Sequence, residues 1–260
     1  MLTGMTERDW EITLEVFDAV QSARGEPGHD DRKFLEAIHY FSVHNITWRS
    51  LPKAYGNWNS VWKRFWRLSR SGVFEAFFQF LAECSETAHL VQFFDSTTAR
   101  AHVSAAGAKG GSNIRRSAAR AAASPPKSTS RPISTDAPLD FHLTGGEASD
   151  STQFETSLDI GPDIRPRIAV TDKGYDSEAN RAAARARGIT PVIPRRENSK
   201  HRGRFFPKRL YKLRARVEQT IGKLKRFKRV AMRCEKTAVS YSAIVSFACG
   251  LILVKSVHTA

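Results

Sequence analysis

Two carboxylates in this sequence each follow a short apolar run: Asp95 after Leu90-Val91-Gln92-Phe93-Phe94, and Asp172 after Arg167-Ile168-Ala169-Val170-Thr171. Runs of this kind read as buried strands. Crevices in α/β sheets open at the C-terminal ends of strands, so an acid there is placed for chemistry. Singly, either Asp is accounted for by a turn in which it accepts backbone N–H groups. Together, two such strands can bring their carboxylates to one shared cation. A third candidate, Glu218, lies in YKLRARVEQTIGKLK (211–225) and is the sole acid between Asn198 and Cys234. On a helix turning 100° per residue, Tyr211, Arg214, Glu218 and Lys225 share an arc of about 60°. Leu210, Leu213, Val217, Ile221 and Leu224 form an apolar stripe beside it. The plain alternative is a surface helix on which Arg214 pairs with Glu218 at i,i+4.

The elements that must position these groups are readable around them. Apolar residues at helical spacing run from Trp10 to Phe17, and again at Phe34, Ile38 and Phe41. Asn59 or Ser60 can cap a helix through Arg67, and Gly72 separates it from another over Val73–Ala82. Four or five short helices with tight turns suit a helix-turn-helix-like module. Beyond it, the strand ending at Phe94, the strand at 167–170, an alanine-rich helix over Glu178–Arg187 and a strand at 191–194 argue for an α/β sheet. Asp176 is expected to cap the helix that starts near Ser177. Trp58, Trp62, Phe65 and Trp66 are spaced helically, which favours core positions for most of them. The last quarter is helical. Its apolar stretch, Tyr241–Val254, is shorter than the roughly 18 residues of a membrane span and is expected to be a buried helix.

Composition narrows the partner. The chain has 260 residues, 41 Lys and Arg against 26 Asp and Glu, and a net charge of +15. Hydrophobic residues at 41% are enough for a core, which excludes a disordered polycation. The basic excess points to a polyanion. From Arg195 to Lys236, 17 Lys and Arg face only Glu197, Glu218 and Glu235, a net +14. The scattered Cys84, Cys234 and Cys249 suggest neither a disulfide framework nor a zinc knuckle. The start, Met1 to Trp10, does not read as a signal peptide, so an intracellular protein without a membrane partner is expected.

These residues carry a resemblance. Asp95 in FFDSTTARAH, Asp172 in TDKGYDSEANR, and Glu218 in the spacing Y-(2)-R-(3)-E-(6)-K resemble bacterial insertion-sequence transposases of the DDE class, and within them the insertion-sequence-five group. WRSLPKAYGNWNSVWKRFWRLSRSGVFE, PVIPRRENSKHRG and AVSYSAIVSFACGLIL are similar to that group too, so nearly the whole chain is covered. The resemblance implies an RNase H-like mixed sheet core flanked by helices over 89–260, preceded by a helical DNA-binding module over 1–88. It implies that Asp95, Asp172 and Glu218 are catalytic and hold Mg²⁺, with Mn²⁺ as a substitute. Tyr211, Arg214 and Lys225 would contact DNA phosphates or orient Glu218, and Arg195, Arg196, Lys212, Arg216, Lys223 and Arg226 would add to the DNA surface. The implied partners are inverted-repeat element ends and target DNA, bound by a homo-oligomer in a bacterial cytoplasm. The implied function is Mg²⁺-dependent strand cleavage and transfer. The alternatives are a transposase relic that binds ends without cutting, and a structured-RNA-binding protein.

One stretch departs from that pattern. Family members carry a segment like LGRSRGGFTTKIHLKTDLDG where this chain reads SAARAAASPPKSTSRPISTD, Ser117–Asp136. Codons ACC AAA ATC CAC CTC AAG ACC GAT CTC GAC encode TKIHLKTDLD; read one base later they give PKSTSRPIST, residues 126–135. Two compensating frameshifts are therefore expected to bound residues 112–137. This segment, acid-free from Ser112 to Thr135 and carrying Pro125, Pro126 and Pro132, is expected to be a disordered loop that leaves a gap beside the strand of Asp95, weakening or abolishing activity.

Overall fold

The computed structural model describes residues 3–21, 30–84, 91–98, 127–132, 138–144, 150–160, 166–197, 199, 206–212 and 214–257. In chain order the helices are α1 (Glu7–Val20), α2 (Asp31–His44), α3 (Trp58–Arg70), α4 (Val73–Glu83), α5 (Asp150–Asp159), α6 (Glu178–Ala186), α7 (Lys208–Lys212), α8 (Ala215–Lys225), α9 (Lys228–Met232) and α10 (Ala238–Val257). The strands are β1 (Val91–Phe93), β2 (Asp95–Thr98), β3 (Lys127–Pro132), β4 (Pro138–Thr144), β5 (Ile168–Val170) and β6 (Thr190–Val192). The described residues fall into two compact units. One takes in Met1–Leu81 and Lys223–Ala260, the other Ala82–Thr98 and Ser124–Gly222.

The first unit is helical. Thr6 and Asp9 cap α1 reciprocally, the Thr6 N–H donating to Asp9 at 2.7 Å and the Asp9 N–H to Thr6 at 3.2 Å. Asp30 caps α2. The cap of α3 is Asn57, two residues before the expected Asn59. Gly72, at φ +75°, supplies the left-handed turn into α4. Helix α10 is longer than expected, 20 residues, and long and apolar enough by itself to cross a membrane. It is instead mostly buried within the protein, as a helix apolar on every side must be. Phe247 meets Phe74 and Phe77 at 5.8 and 6.2 Å between ring centroids, and an added Cβ on Gly250 would lie 2.3 Å from Phe77. Helices from both ends of the chain thus share this core. The expectation that the α3 aromatics are mostly core fails: Phe65 is buried, but Trp62 and Trp66 are exposed.

The second unit is mixed α/β. Strands β1, β5 and β6 form a parallel sheet in the order β1-β5-β6, and β2, β3 and β4 an antiparallel one in the order β2-β3-β4. Only Phe94 separates β1 from β2, and its N–H still donates to the Val170 carbonyl at 2.8 Å. One extended run, 91–98, therefore pairs first with β5 on one side and then with β3 on the other. Side chains alternate across the parallel sheet as the two-residue period demands. Phe94, Ala169 and Ile193 pack with Phe154 and Leu158 of α5 and Ala184 of α6, while Phe93, Val170 and Val192 pack with Val217 of α8.

The expected gap in the sheet is not there. Within the segment 112–137, Lys127–Pro132 forms β3, paired from Asp95↔Ser130 to Thr98↔Lys127 on one side and with β4 on the other. Two flanking strands offer it unpaired backbone groups, which outweighs its poor composition. Pro132 falls where the register shifts, a position at which a missing N–H is tolerated. The remainder of that segment, 112–126 and 133–137, lies outside the described residues.

Candidate active site

Asp95 and Asp172 reach the same level of the second unit by register. Phe93 is paired with Val170, and each carboxylate follows its strand residue by two positions. Asp95 is thus the first residue of β2 and Asp172 lies just past the end of β5, at matching register positions. Asp172 remains extended (φ −85°, ψ 178°) and turns the chain into a single 3-10 turn, Lys173–Tyr175, by accepting the Gly174 N–H at 2.8 Å. A Cβ on Gly174 would come within 2.9 Å of Asp172 Oδ1, so a side chain there would have to displace the Asp172 carboxylate.

Glu218 arrives on α8, which is fastened by the neighbouring Val217. Val217 is fully buried among Phe93, Val170 and Val192, with Tyr211, Leu210 and Ile221 partly buried around them. Glu218 itself is 68% exposed at the rim. The helix is not continuous from Tyr211 to Lys225, as the angular reading assumed. α7 ends at Lys212, Leu213 lies outside the described residues, and Arg214 stands in a turn before α8. Lys225 is exposed on the last residue of α8.

The break gives Arg214 its place. Its Nη2 lies 3.1 Å from Asp95 Oδ2 and its Nη1 3.7 Å from Glu218 Oε1. Burial works against the guanidinium charge, but Asp95, then Tyr211 and Asp172, outweigh it and raise the Arg214 pKa above its usual value. All three candidate carboxylates therefore act on one cation. Among the described residues no three His, Cys, Asp or Glu side chains are grouped closely enough to hold a metal ion. The donor set, three carboxylates and no thiol or imidazole, is nevertheless of the kind a hard divalent cation takes.

Two family models match the sequence. One, "Putative transposase of IS4/5 family", covers residues 5–78, and the other, "Transposase DDE domain", covers residues 86–253, more than half of the chain. The chain belongs to the DDE transposase family. Two relatives carry insertion-sequence names. "Putative transposase for insertion sequence element IS402" of Burkholderia cepacia is 39% identical over 132 residues, 46% of this chain and 60% of that protein. "Putative transposase for insertion sequence element IS6501" of Brucella ovis is 45% identical over 119 residues, 44% of this chain and 87% of that protein. The match to the Burkholderia protein thus spans less than two thirds of its length.

The remaining basic candidates of this DDE transposase differ in exposure and in the groups they meet. Lys212 and Arg226 are exposed, Lys223 is half-buried, and the Arg216 side chain lies outside the described residues. Arg195 is engaged with Glu178 and lies 3.8 Å from Asp176. Arg196 donates to the Lys173 and Gly174 carbonyls at 3.2 and 3.0 Å, and its backbone N–H donates to Asp176 at 2.7 Å. It clamps the turn that Asp172 opens, a role that sequence reading missed; the signal was the D-K-G spacing of an Asp turn whose carbonyls need donors. Asp176 is not the α6 cap. Ser177 accepts the Asn180 N–H at 3.0 Å, while Asp176 pairs with Arg181 at 2.7 Å. Burial would raise the Asp176 pKa, but the Arg196 N–H and Arg181 outweigh it and hold the carboxyl below its ordinary value.

Proposed function

We propose that this chain is the transposase of an insertion sequence, binding element-end DNA and catalysing cleavage and transfer of DNA strands. Asp95, Asp172 and Glu218 would hold Mg²⁺, or Mn²⁺ in its place. The observation that carries this reading is the meeting of Asp95 and Glu218 at Arg214, with Asp172 at the register position that matches Asp95. When bound, divalent ions supply an activated nucleophile and neutralise charge in an in-line phosphoryl displacement. Around them, Arg214 balances the carboxylate charge and offers a planar fork suited to bidentate contact with a phosphate. Tyr211 and Lys225 would contact DNA phosphates or orient Glu218, and Lys212, Arg216, Lys223 and Arg226 would add to the DNA surface. Clamped by Arg196, the 172–176 turn keeps Asp172 at the height of Asp95.

The strand order β4-β3-β2/β1-β5-β6, obtained by joining the two sheets at Phe94, supports an RNase H-like core. We divide the protein by role into a DNA-contacting N-terminal module, 1–88, and a catalytic domain, 89–260, acting as an oligomer on DNA in a bacterial cytoplasm. Duplexes carrying the terminal repeats of the element should be nicked in Mg²⁺. Asp95→Asn and Glu218→Gln should lower nicking by at least about 10²-fold while leaving binding within severalfold, since transition-state charge stabilisation is lost and duplex contacts are not. Nicking by either variant at the rate of the native chain would sink the proposal. Binding without nicking by the native chain would favour a second reading, a non-catalytic relic, which the composition of 112–126 supports.

A further inference from the structure

Helix α3 presents aromatic rings to solvent in a row. Trp58, Trp62 and Trp66 are four residues apart, so they lie in a row along one side of the helix. Val61, Phe65 and Leu68 occupy the buried side, so the core does not need the tryptophans. Trp62 is 38% exposed and Trp66 47%, an outlay of apolar surface that marks a contact site. Between Trp62 and the preceding turn lies an open cavity of about 420 Å³, lined by Thr47, Trp48, Arg49, Trp58, Asn59 and Trp62. Trp48 forms a fixed wall, its ring stacked on Phe41 at 3.8 Å. Arg49 lies over the Trp58 ring at 5.8 Å, and Arg70 over Trp66 at 4.9 Å.

Along this stretch of sequence the charge has one sign. No Asp or Glu occurs between Ala37 and Phe74, whereas Arg49, Lys53, Lys63, Arg67 and Arg70 are all exposed. An apolar protein partner would not require that bias, and a polyanion would. Base-paired DNA offers phosphates and groove edges but no free ring faces, whereas an unpaired nucleotide offers both a flat ring and a phosphate. Cavities that take small ligands are of this size, and the amide of Asn59 can both donate to and accept from a base edge.

We infer that the Trp48–Trp58–Trp62 cavity binds an unpaired nucleobase of single-stranded or locally opened DNA. The base stacks on the tryptophans, and Arg49 and its neighbours hold the adjoining phosphates. This rests on the DNA-binding reading above. The test uses the full chain, a labelled oligothymidylate, and a blunt duplex of the same length at several salt concentrations. Trp62→Ala should weaken oligothymidylate binding about tenfold or more and duplex binding no more than about twofold, and Trp62→Phe should restore most of the loss. Oligothymidylate, but not the duplex, should quench the tryptophan fluorescence. Equal losses on both DNAs, no loss on either, or a change only in self-association would overturn the inference. A native chain that binds neither DNA would overturn the DNA-binding reading with it. Duplex binding with oligothymidylate binding unmoved by Trp62→Ala would overturn the cavity alone.

Discussion

Arg214 and Arg196 divide the work at the candidate site, one balancing charge and the other holding shape. Arg214 faces Asp95 and Glu218 directly, while Arg196 never reaches a candidate carboxylate and acts on the Lys173 and Gly174 carbonyls. Because Arg196 is exposed, its hydrogen bonds contribute modestly to stability, on the order of 1 kcal/mol. Its larger effect should be on catalysis, since a turn displaced by about 1 Å can cost about 10²-fold in rate. Arg196→Ala is therefore expected to lower nicking at least about tenfold with kcat, not KM, carrying the change. Arg196→Lys should rescue only part, because a single ammonium cannot reproduce the fork. A purely structural role would instead show as a lowered melting temperature with unchanged kcat.

At the scale of elements, what could be read from the sequence followed from periodicity, and what could not followed from tertiary context. The strand ends carrying Asp95 and Asp172 were legible because apolar runs stop abruptly at each acid. Their equal height was not, since register depends on pairing. The angular reading of 211–225 grouped Arg214 with Glu218, which the structure also brings together, but missed the break at Arg214, because the apolar spacing persists through it. Ser128, Thr129 and Ser130 carry no strand alternation, so β3 follows from the edges of β2 and β4 rather than from local preference. The spacing of Trp58, Trp62 and Trp66 marked one helix side without saying which side faces the core. Helix α10 offers a check on packing. An added methyl on Gly250 would meet the fully buried Phe77, which has nowhere cheap to move. Gly250→Ala should lower stability by about 1–3 kcal/mol despite better helix propensity, read as a fall in melting temperature.

For the molecule as a whole, the net charge of +15 overstates the surface available to DNA. Arg229 is buried, pairing with Glu235 at 2.6 Å, donating to the Ile46 carbonyl at 2.8 Å and covering the Phe41 ring at 4.1 Å. Arg233 is buried over Tyr241. Both belong to the basic block that sequence reading assigned to the polyanion surface. Removing one partner of a buried pair costs about 3–5 kcal/mol, so Arg229→Ala should unfold the helical unit rather than tune DNA affinity. Lys212→Ala and Arg226→Ala should each reduce the salt dependence of duplex binding by about one counterion without lowering the melting temperature.

The central claim is that Asp95, Asp172 and Glu218 serve one metal site. Iron-mediated cleavage of the polypeptide tests it most directly, because Fe²⁺ in a Mg²⁺ site, supplied with hydrogen peroxide and ascorbate, generates hydroxyl radicals that cut the nearby backbone. Three cuts are expected, near 95, 172 and 218, that Mg²⁺ suppresses together and that Asp95→Asn alone abolishes at all three places. Cuts at one of these positions without the others, or three that survive Asp95→Asn, would contradict it.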